Sequence, residues 1–247
     1  MNRLATPAGR CHAGSIARVF SAQVEVADEL ELIPTFAIAF NGCDLRCAFC
    51  ITGRQSWNPR AGQGVDLAKL AERTAAALDK GARTVMILGG EPTIHLPTAL
   101  EIVSVLPRQG RLVWKTNAHG SEQARELLAG VFDVWLADYK FGNDRCALRL
   151  AHVQNYTQVV RENLLWSARD AELIIRHLVM PGHVDCCWAP IAEWIAEELA
   201  GAKVSLREGF WPGWQSHFHP ELRRLCSPAE LDRARHVARE FELNLIA

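Results

Sequence analysis

Along the chain, short apolar runs rich in β-branched residues alternate with longer stretches whose apolar positions recur every three to four residues. The runs fall at 35–40, 84–88, 112–115, 134–138, 173–179 and 204–206, and their length and composition predict buried strands. The periodic stretches at 66–79, 97–106, 121–128, 158–168, 190–199 and 228–241 predict helices that cover them. Start signals agree: Ser121 can cap a helix, and Pro97 and Pro228 stand where a first turn loses nothing by lacking an amide proton. Strands alternating with helices imply parallel pairing through right-handed crossovers. Six such units predict either an open doubly wound sheet or an incomplete barrel. In both, a site is built from polar residues just past the strand C-termini.

The 247 residues suit one α/β domain, and with 49% of them apolar a large core can be buried. No Gly/Ser linker or internal repeat divides the chain, so residues 1–33 are expected to form an N-terminal extension packing on the barrel. Residues 34–247 then form the barrel and a C-terminal substrate-side segment. Lys and Arg (27) nearly balance Asp and Glu (28), which gives no basic surface for nucleic acid. No apolar run approaches the roughly 20 residues that span a bilayer. The start, Met1-Asn2-Arg3-Leu4, lacks the apolar core of an export signal. Eight cysteines without that signal suggest a reducing cytoplasm, where thiols serve metals or chemistry.

Three of those cysteines, Cys43, Cys47 and Cys50, follow the first apolar run in the spacing C-x3-C-x2-C. Three thiolates so close can hold three irons of a [4Fe–4S] cluster, and no nearby fourth cysteine completes the set. A cluster with one iron left open can bind a ligand, whereas a fully capped one mainly carries electrons. Structural zinc is the plainer alternative, but it usually takes four ligands. The later strands end in polar groups as well: Gly89-Gly90-Glu91-Pro92, Lys115-Thr116-Asn117, Asp138-Tyr139-Lys140, and Arg176-His177 ahead of Met180-Pro181-Gly182-His183. Paired glycines let backbone approach a ligand, and a carboxylate beside them can receive an ammonium group.

Taken together, these motifs resemble the radical S-adenosylmethionine (SAM) superfamily, and within it the pyruvate formate-lyase activating enzymes and their relatives. The likeness runs from about Asn2 to Leu206 and includes Arg176-His177-Leu178-Val179-Met180-Pro181-Gly182. It implies a partial (β/α)6 TIM-like barrel with short terminal extensions. It also implies a [4Fe–4S] cluster on Cys43, Cys47 and Cys50 whose open iron chelates SAM, and Phe49 beside the adenine. Gly89, Gly90 and Glu91 would receive the methionine amino group, with Thr116, Asn117, Asp138 and Arg176 at the ribose, the carboxylate or the substrate. The implied reaction is reductive cleavage of SAM to a 5′-deoxyadenosyl radical that takes hydrogen from a substrate, by analogy a glycyl residue of a partner enzyme. A flavodoxin or ferredoxin would supply the electron. The alternatives are a small metabolite or short peptide as substrate, or a non-catalytic iron–sulfur or zinc protein. Ile51 stands where activating enzymes often carry histidine.

The remaining features point less sharply. Lys140, His177 and His183 are candidates for the substrate side, as are Trp211, Trp214 and His217 in the aromatic segment 210–220, which can act as a packed loop or a lid. Cys11-His12-Ala13-Gly14 resembles the end of a cysteine-rich N-terminal segment whose other cysteines are missing. Cys146, Cys186, Cys187 and Cys226 show no second cluster spacing. The vicinal pair Cys186-Cys187 is expected to point in different directions and to serve as small buried apolar residues, or else as a thiol near the substrate.

Overall fold

The computed structural model describes residues 17–27 and 29–247; the Cys11 segment lies outside them. The described chain divides into two compact units, one holding the residues up to Asp44 with Thr52–Thr116 and Glu126–Trp135, the other Leu45–Ile51, Asn117–Arg125 and Leu136–Ala247. In chain order the elements are β1 (Arg18–Glu25), β2 (Thr35–Phe40), α1 (Arg54–Trp57), β3 (Gln63–Gly64), α2 (Leu67–Asp79), β4 (Thr84–Gly89), α3 (Leu96–Val105) and β5 (Arg111–Thr116). There follow α4 (Glu122–Leu128), β6 (Val134–Asp138), α5 (Asp144–Ala151), α6 (Tyr156–Asp170), β7 (Glu172–Leu178), α7 (Ala189–Glu198), β8 (Lys203–Arg207), α8 (Pro228–Glu240) and β9 (Asn244–Ile246). Every strand and helix expected from the apolar pattern is present, shifted at its ends by two residues at most.

In the first unit, β2 is buried along its whole length. It pairs in parallel with β4, which pairs in parallel with β5; on the other side β1 joins antiparallel, and β3 adds to β1. A strand covered on both faces reads as a continuous apolar run, which is why Thr35–Phe40 was visible in sequence. β1 was not, because its side chains are half-buried or exposed and half of them are polar. Asp66 caps α2 by accepting from the Lys69 amide at 3.1 Å.

In the second unit β7, β8 and β9 run parallel, and β6 crosses the division between Trp135 and Leu136. α8 begins with a capping box in which Ser227 and Glu230 satisfy each other's amides, with Pro228 at the predicted first turn. α5 was unexpected: its buried face is only Cys146, Ala147, Leu150 and Ala151, in two turns otherwise made of three charged residues and exposed Leu148. A π-helical turn at Val184–Trp188, in a stretch to which the apolar pattern assigned no element, precedes α7. Neither sheet portion closes on itself, and among the described residues no helix is long and apolar enough to cross a membrane.

Candidate active site

In the first unit, the end of β2 leads through Asn41 and Gly42 into Cys43, which is buried and forms no disulfide. The end of β4 lies directly against this turn. The Gly90 amide donates to the Phe40 carbonyl and the Glu91 amide to the Gly42 carbonyl, each at 2.9 Å. No side chain fits there: a Cβ on Gly90 would stand 2.0 Å from the Gly42 oxygen, and one on Gly89 2.2 Å from the Phe40 oxygen. The paired glycines allow a close approach between two backbone segments, and the partner on this face is the entry to the cysteine loop rather than a ligand.

Glu91 is buried, and one of its carboxylate oxygens accepts from the Thr93 amide at 3.0 Å, the Thr93 hydroxyl and the Thr116 hydroxyl at 2.8 Å. Three donors on one oxygen fix the rotamer of the acid, and two of the predicted residues, Glu91 and Thr116, meet. His95, which sequence reasoning passed over, is buried nearby with Nε2 2.8 Å from the Asn41 carbonyl and its ring against Phe40. Burial pushes its pKa below the usual histidine value, against the pull of that carbonyl. It braces the same turn.

The second unit carries the rest of the cysteine loop. Cys47 is buried and Cys50 half-buried, and neither forms a disulfide. Their backbone is tied down at two places: the Arg46 and Ala48 amides donate to the Ala151 and Leu150 carbonyls at the end of α5 (2.9 and 2.8 Å), and the Gln215 amide donates to the Ala48 carbonyl at 2.9 Å. Phe49 is buried, edge-on to Phe141 and tilted against Phe210, so its ring packs within the core. Asn117 is buried and accepts from the His119 amide at 2.8 Å.

At the ends of β6 and β7, Asp138 accepts from Arg176 Nε at 2.7 Å and from Lys140 Nζ. Burial favours the neutral acid, but the two cations outweigh it and hold the Asp138 carboxyl well below the usual carboxylate range. Burial likewise opposes the Lys140 cation, and Asp138 reverses that, raising its pKa. His177 bonds through Nδ1 to the Tyr139 carbonyl at 2.8 Å, stacks on Trp188 at 4.9 Å, and leaves Nε2 buried without a hydrogen bond. Burial drops its pKa to about 4, so it is neutral at physiological pH.

His183 sits elsewhere in this unit, with its Nδ1 facing the thiols of Cys146, Cys186 and Cys187. Trp211 and His217 are exposed, and Trp214, with a φ of +53°, is 37% exposed. The Cys186-Cys187 pair, expected to diverge as packing residues, instead converges with its thiols 3.9 Å apart.

The family described as the radical SAM superfamily matches residues 38–195, well over half the chain. The chain belongs to the radical SAM superfamily. An uncharacterized protein of Methanocaldococcus jannaschii is 32% identical over 241 residues, covering 90% of this chain and 67% of its own length. Among solved structures, Streptococcus suis SuiB bound to precursor peptide SuiA aligns with a TM-score of 0.60 at 16% identity, over 83% of this chain. A domain of pyruvate-formate lyase-activating enzyme from Bacteroides vulgatus aligns at 0.53 and 16%, covering 66% of this chain and 96% of that domain. The FeFe-hydrogenase maturase HydG from Carboxydothermus hydrogenoformans aligns at 0.63 and 13%, over 85% of this chain and 52% of its own. This radical SAM chain spans about half the length of SuiB and HydG. These likenesses establish the fold as the open, partial (β/α)6 type.

Radical SAM enzymes use a [4Fe–4S] cluster and SAM, and SuiB has been solved with SAM bound. The residues present fit both. The loop offers three thiols outside any disulfide and no carboxylate or imidazole at the matching positions, a donor set suited to iron–sulfur ligation with one iron left for another ligand. The glycine contact beside Cys43 and the fixed Glu91 carboxylate supply a backbone-lined turn with an acceptor for a cationic group.

Proposed function

We propose that this radical SAM enzyme abstracts hydrogen from a glycyl residue of a partner protein, in the manner of an activating enzyme, with Cys43, Cys47 and Cys50 holding the cluster. When bound, the cluster and SAM supply a 5′-deoxyadenosyl radical after one-electron reduction. The chain's own residues then have definable tasks. Glu91, its rotamer set by Thr93 and Thr116, accepts hydrogen bonds from the ammonium of the methionine moiety. Gly89 and Gly90 keep that acid beside the cysteine loop. Asp138 stays ionised and orients Arg176 towards a carboxylate, where guanidinium geometry gives directional charge-assisted bonds. Asn117 and Lys140 contribute further polar contacts, and neutral His177 takes up no proton near pH 7. Phe49 contributes through its backbone, since its ring is engaged with Phe141 and Phe210. A flavodoxin or ferredoxin is the proposed electron donor and the cytoplasm the proposed location.

The observation that carries this reading is the hydrogen bond from Glu91 to Gly42, which fastens the acidic turn to the residue preceding the first cysteine. The test is anaerobic reconstitution with iron and sulfide, followed by reductant, SAM and quantification of 5′-deoxyadenosine. Brown protein that releases the nucleoside is expected, and Cys47→Ala should lose both; nucleoside release by Cys47→Ala would sink the assignment. Glycyl activation predicts a protein-centred radical, visible by electron paramagnetic resonance, on an added glycyl-radical enzyme.

One observation favours a short peptide as the second reading. The segment holding exposed Trp211, Trp214 and Phe218 is attached to the cysteine loop at Ala48, and exposed aromatics suit a peptide. Deuterium transfer from labelled peptides into 5′-deoxyadenosine, without a glycyl radical, would select it.

A further inference from the structure

We propose that Cys146, His183, Cys186 and Cys187 form a second metal site, a mononuclear tetrahedral Zn2+ centre that braces α5 and, through it, the cysteine loop. The four ligand atoms all lie within 4.8 Å of one another. The imidazole Nδ1 stands 3.3 Å from the Cys186 sulfur, 3.6 Å from that of Cys187 and 3.7 Å from that of Cys146. The Cys186 sulfur lies 3.9 Å from Cys187 and 4.0 Å from Cys146. With Zn–S near 2.3 Å and Zn–N near 2.0–2.1 Å, a tetrahedron has S···N edges of about 3.5 Å and S···S edges of about 3.8 Å. The four side chains therefore already outline the coordination polyhedron of a Cys3His structural zinc site.

The backbone explains how a vicinal cysteine pair can serve one ion. In an α-helix or strand, consecutive side chains diverge. The turn at Val184–Trp188 is π-helical, and its extra residue per turn swings neighbours closer together. The His183 carbonyl receives the amides of Cys187 and Trp188 at 3.0 and 3.2 Å, which leaves its ring over the thiols. Cys146 comes from α5, and that helix can approach only because residue 142 is glycine: a Cβ there would stand 2.3 Å from the Cys187 carbonyl oxygen.

The surrounding groups are those a zinc site needs. Asn143 Nδ2 donates to the Cys186 carbonyl at 2.6 Å and lies 3.9 Å from the Cys187 sulfur, which suits a thiolate ligand. On the far edge of the imidazole, Nε2 is 3.7 Å from Glu221 Oε1 and 3.3 Å from Arg149, and Arg149 itself binds Glu221. With metal on Nδ1 the proton resides on Nε2, so Arg149, which can only donate, must turn from the ring, and Glu221, 3.7 Å away, must close in to accept it as the carboxylate of a carboxylate–histidine–metal relay. Each neutral thiol that binds releases one proton, and no electron is transferred.

Other occupants fit less well. A disulfide needs sulfurs about 2.05 Å apart, and these cysteines are free. Cysteines of a [4Fe–4S] cube each sit on a different iron and stand wider apart than these. Four protein ligands close the coordination shell, so the centre is structural. Its consequence runs along α5: Cys146 lies near the start of the helix, and Leu150 and Ala151 at its end hold the amides of Ala48 and Arg46.

The test uses the full chain with Cys43, Cys47 and Cys50 all replaced by Ala, so that iron at the radical cluster cannot contribute and failure of the radical reading does not affect the result. About one zinc per chain is expected by elemental analysis. Replacement by Co2+ should give the intense visible bands of a tetrahedral thiolate complex. Cys187→Ser should weaken Co2+ binding at least tenfold. Glu221→Gln, which leaves all four ligands in place, should weaken it by about ten- to a hundredfold. Stripping the zinc with a chelator should speed amide exchange at Arg46 and Ala48. Background zinc with all three thiols open to alkylation would overturn the proposal, as would a disulfide or an iron–sulfur absorption from this protein.

Discussion

Replacing Gly90 by Ala tests whether the turn after β4 truly braces the cysteine loop. The added methyl would stand 2.0 Å from the Gly42 oxygen, 2.7 Å from its carbonyl carbon and 3.1 Å from the Ser56 Cα, all backbone atoms that cannot rotate away. Since carbon and oxygen without a conventional hydrogen bond approach to about 3.3 Å, the two turns must part by more than about 1 Å. That movement breaks the Glu91-to-Gly42 and Gly90-to-Phe40 hydrogen bonds, each worth about 1 kcal/mol net. Overpacking adds about 1–3 kcal/mol, while the stiffer unfolded chain returns about 0.4–1 kcal/mol. The net loss is about 2–5 kcal/mol. Urea unfolding of the metal-free, reduced protein, followed by tryptophan fluorescence, measures it as a lower midpoint at unchanged slope. Gly64→Ala, whose Cβ meets nothing within 4 Å, is the control and should stay within about 0.5 kcal/mol. Iron bound after reconstitution should fall in Gly90→Ala as Gly42 carries Cys43 out of place. A midpoint equal to that of the wild type would refute the reasoning.

Three further outcomes are expected. Asp138→Asn removes the carboxylate shared by Lys140 and Arg176 and should cost about 3–5 kcal/mol in the same assay; a loss below about 1 kcal/mol would show that the three charges do not depend on one another. The folded His177 has a pKa of about 4 against 6.5 for the ordinary group, so between those values the unfolded chain binds the extra proton. Stability should therefore fall as pH drops from about 6.5 to about 4, by up to about 3 kcal/mol. That part of the slope should vanish in His177→Gln; an unchanged slope would contradict the burial argument. Phe49→Leu, which keeps the backbone but thins the contact with Phe141 and Phe210, should destabilise by about 1–2 kcal/mol. It should leave SAM affinity, read by equilibrium dialysis, within about threefold if the ring only packs.

The elements legible in sequence were those whose burial is simple. β2 shows as an unbroken apolar run because both its faces are covered, and α8 announces itself through Ser227, Pro228 and Glu230. The three-cysteine spacing was equally plain, since the proposed ligation there needs only a short stretch of chain. The residues of the proposed zinc site were not legible. Cys146 is 37 residues from His183, on a helix too short to show a period, and the Cys186-Cys187 pair converges only because the turn is π-helical. A rule about consecutive side chains presupposes the backbone it is applied to. β1 escaped notice for a related reason: a strand with half-wet faces has no apolar run to find.

The attachment of the 210–218 segment has an evolutionary consequence. Its link to the cysteine loop is a bond between main-chain atoms, the Gln215 amide and the Ala48 carbonyl, and the turns around it close through backbone bonds from Gly213 to Trp211 and from Ser216 to Gly213. Such an anchor is indifferent to side-chain identity. Exposed Trp211 and Phe218 can be exchanged while this main-chain anchor on the cysteine loop persists, whereas position 214, at a φ of +53°, is held to residues that tolerate that backbone. The fold thereby separates what must be inherited unchanged from what selection is free to rewrite.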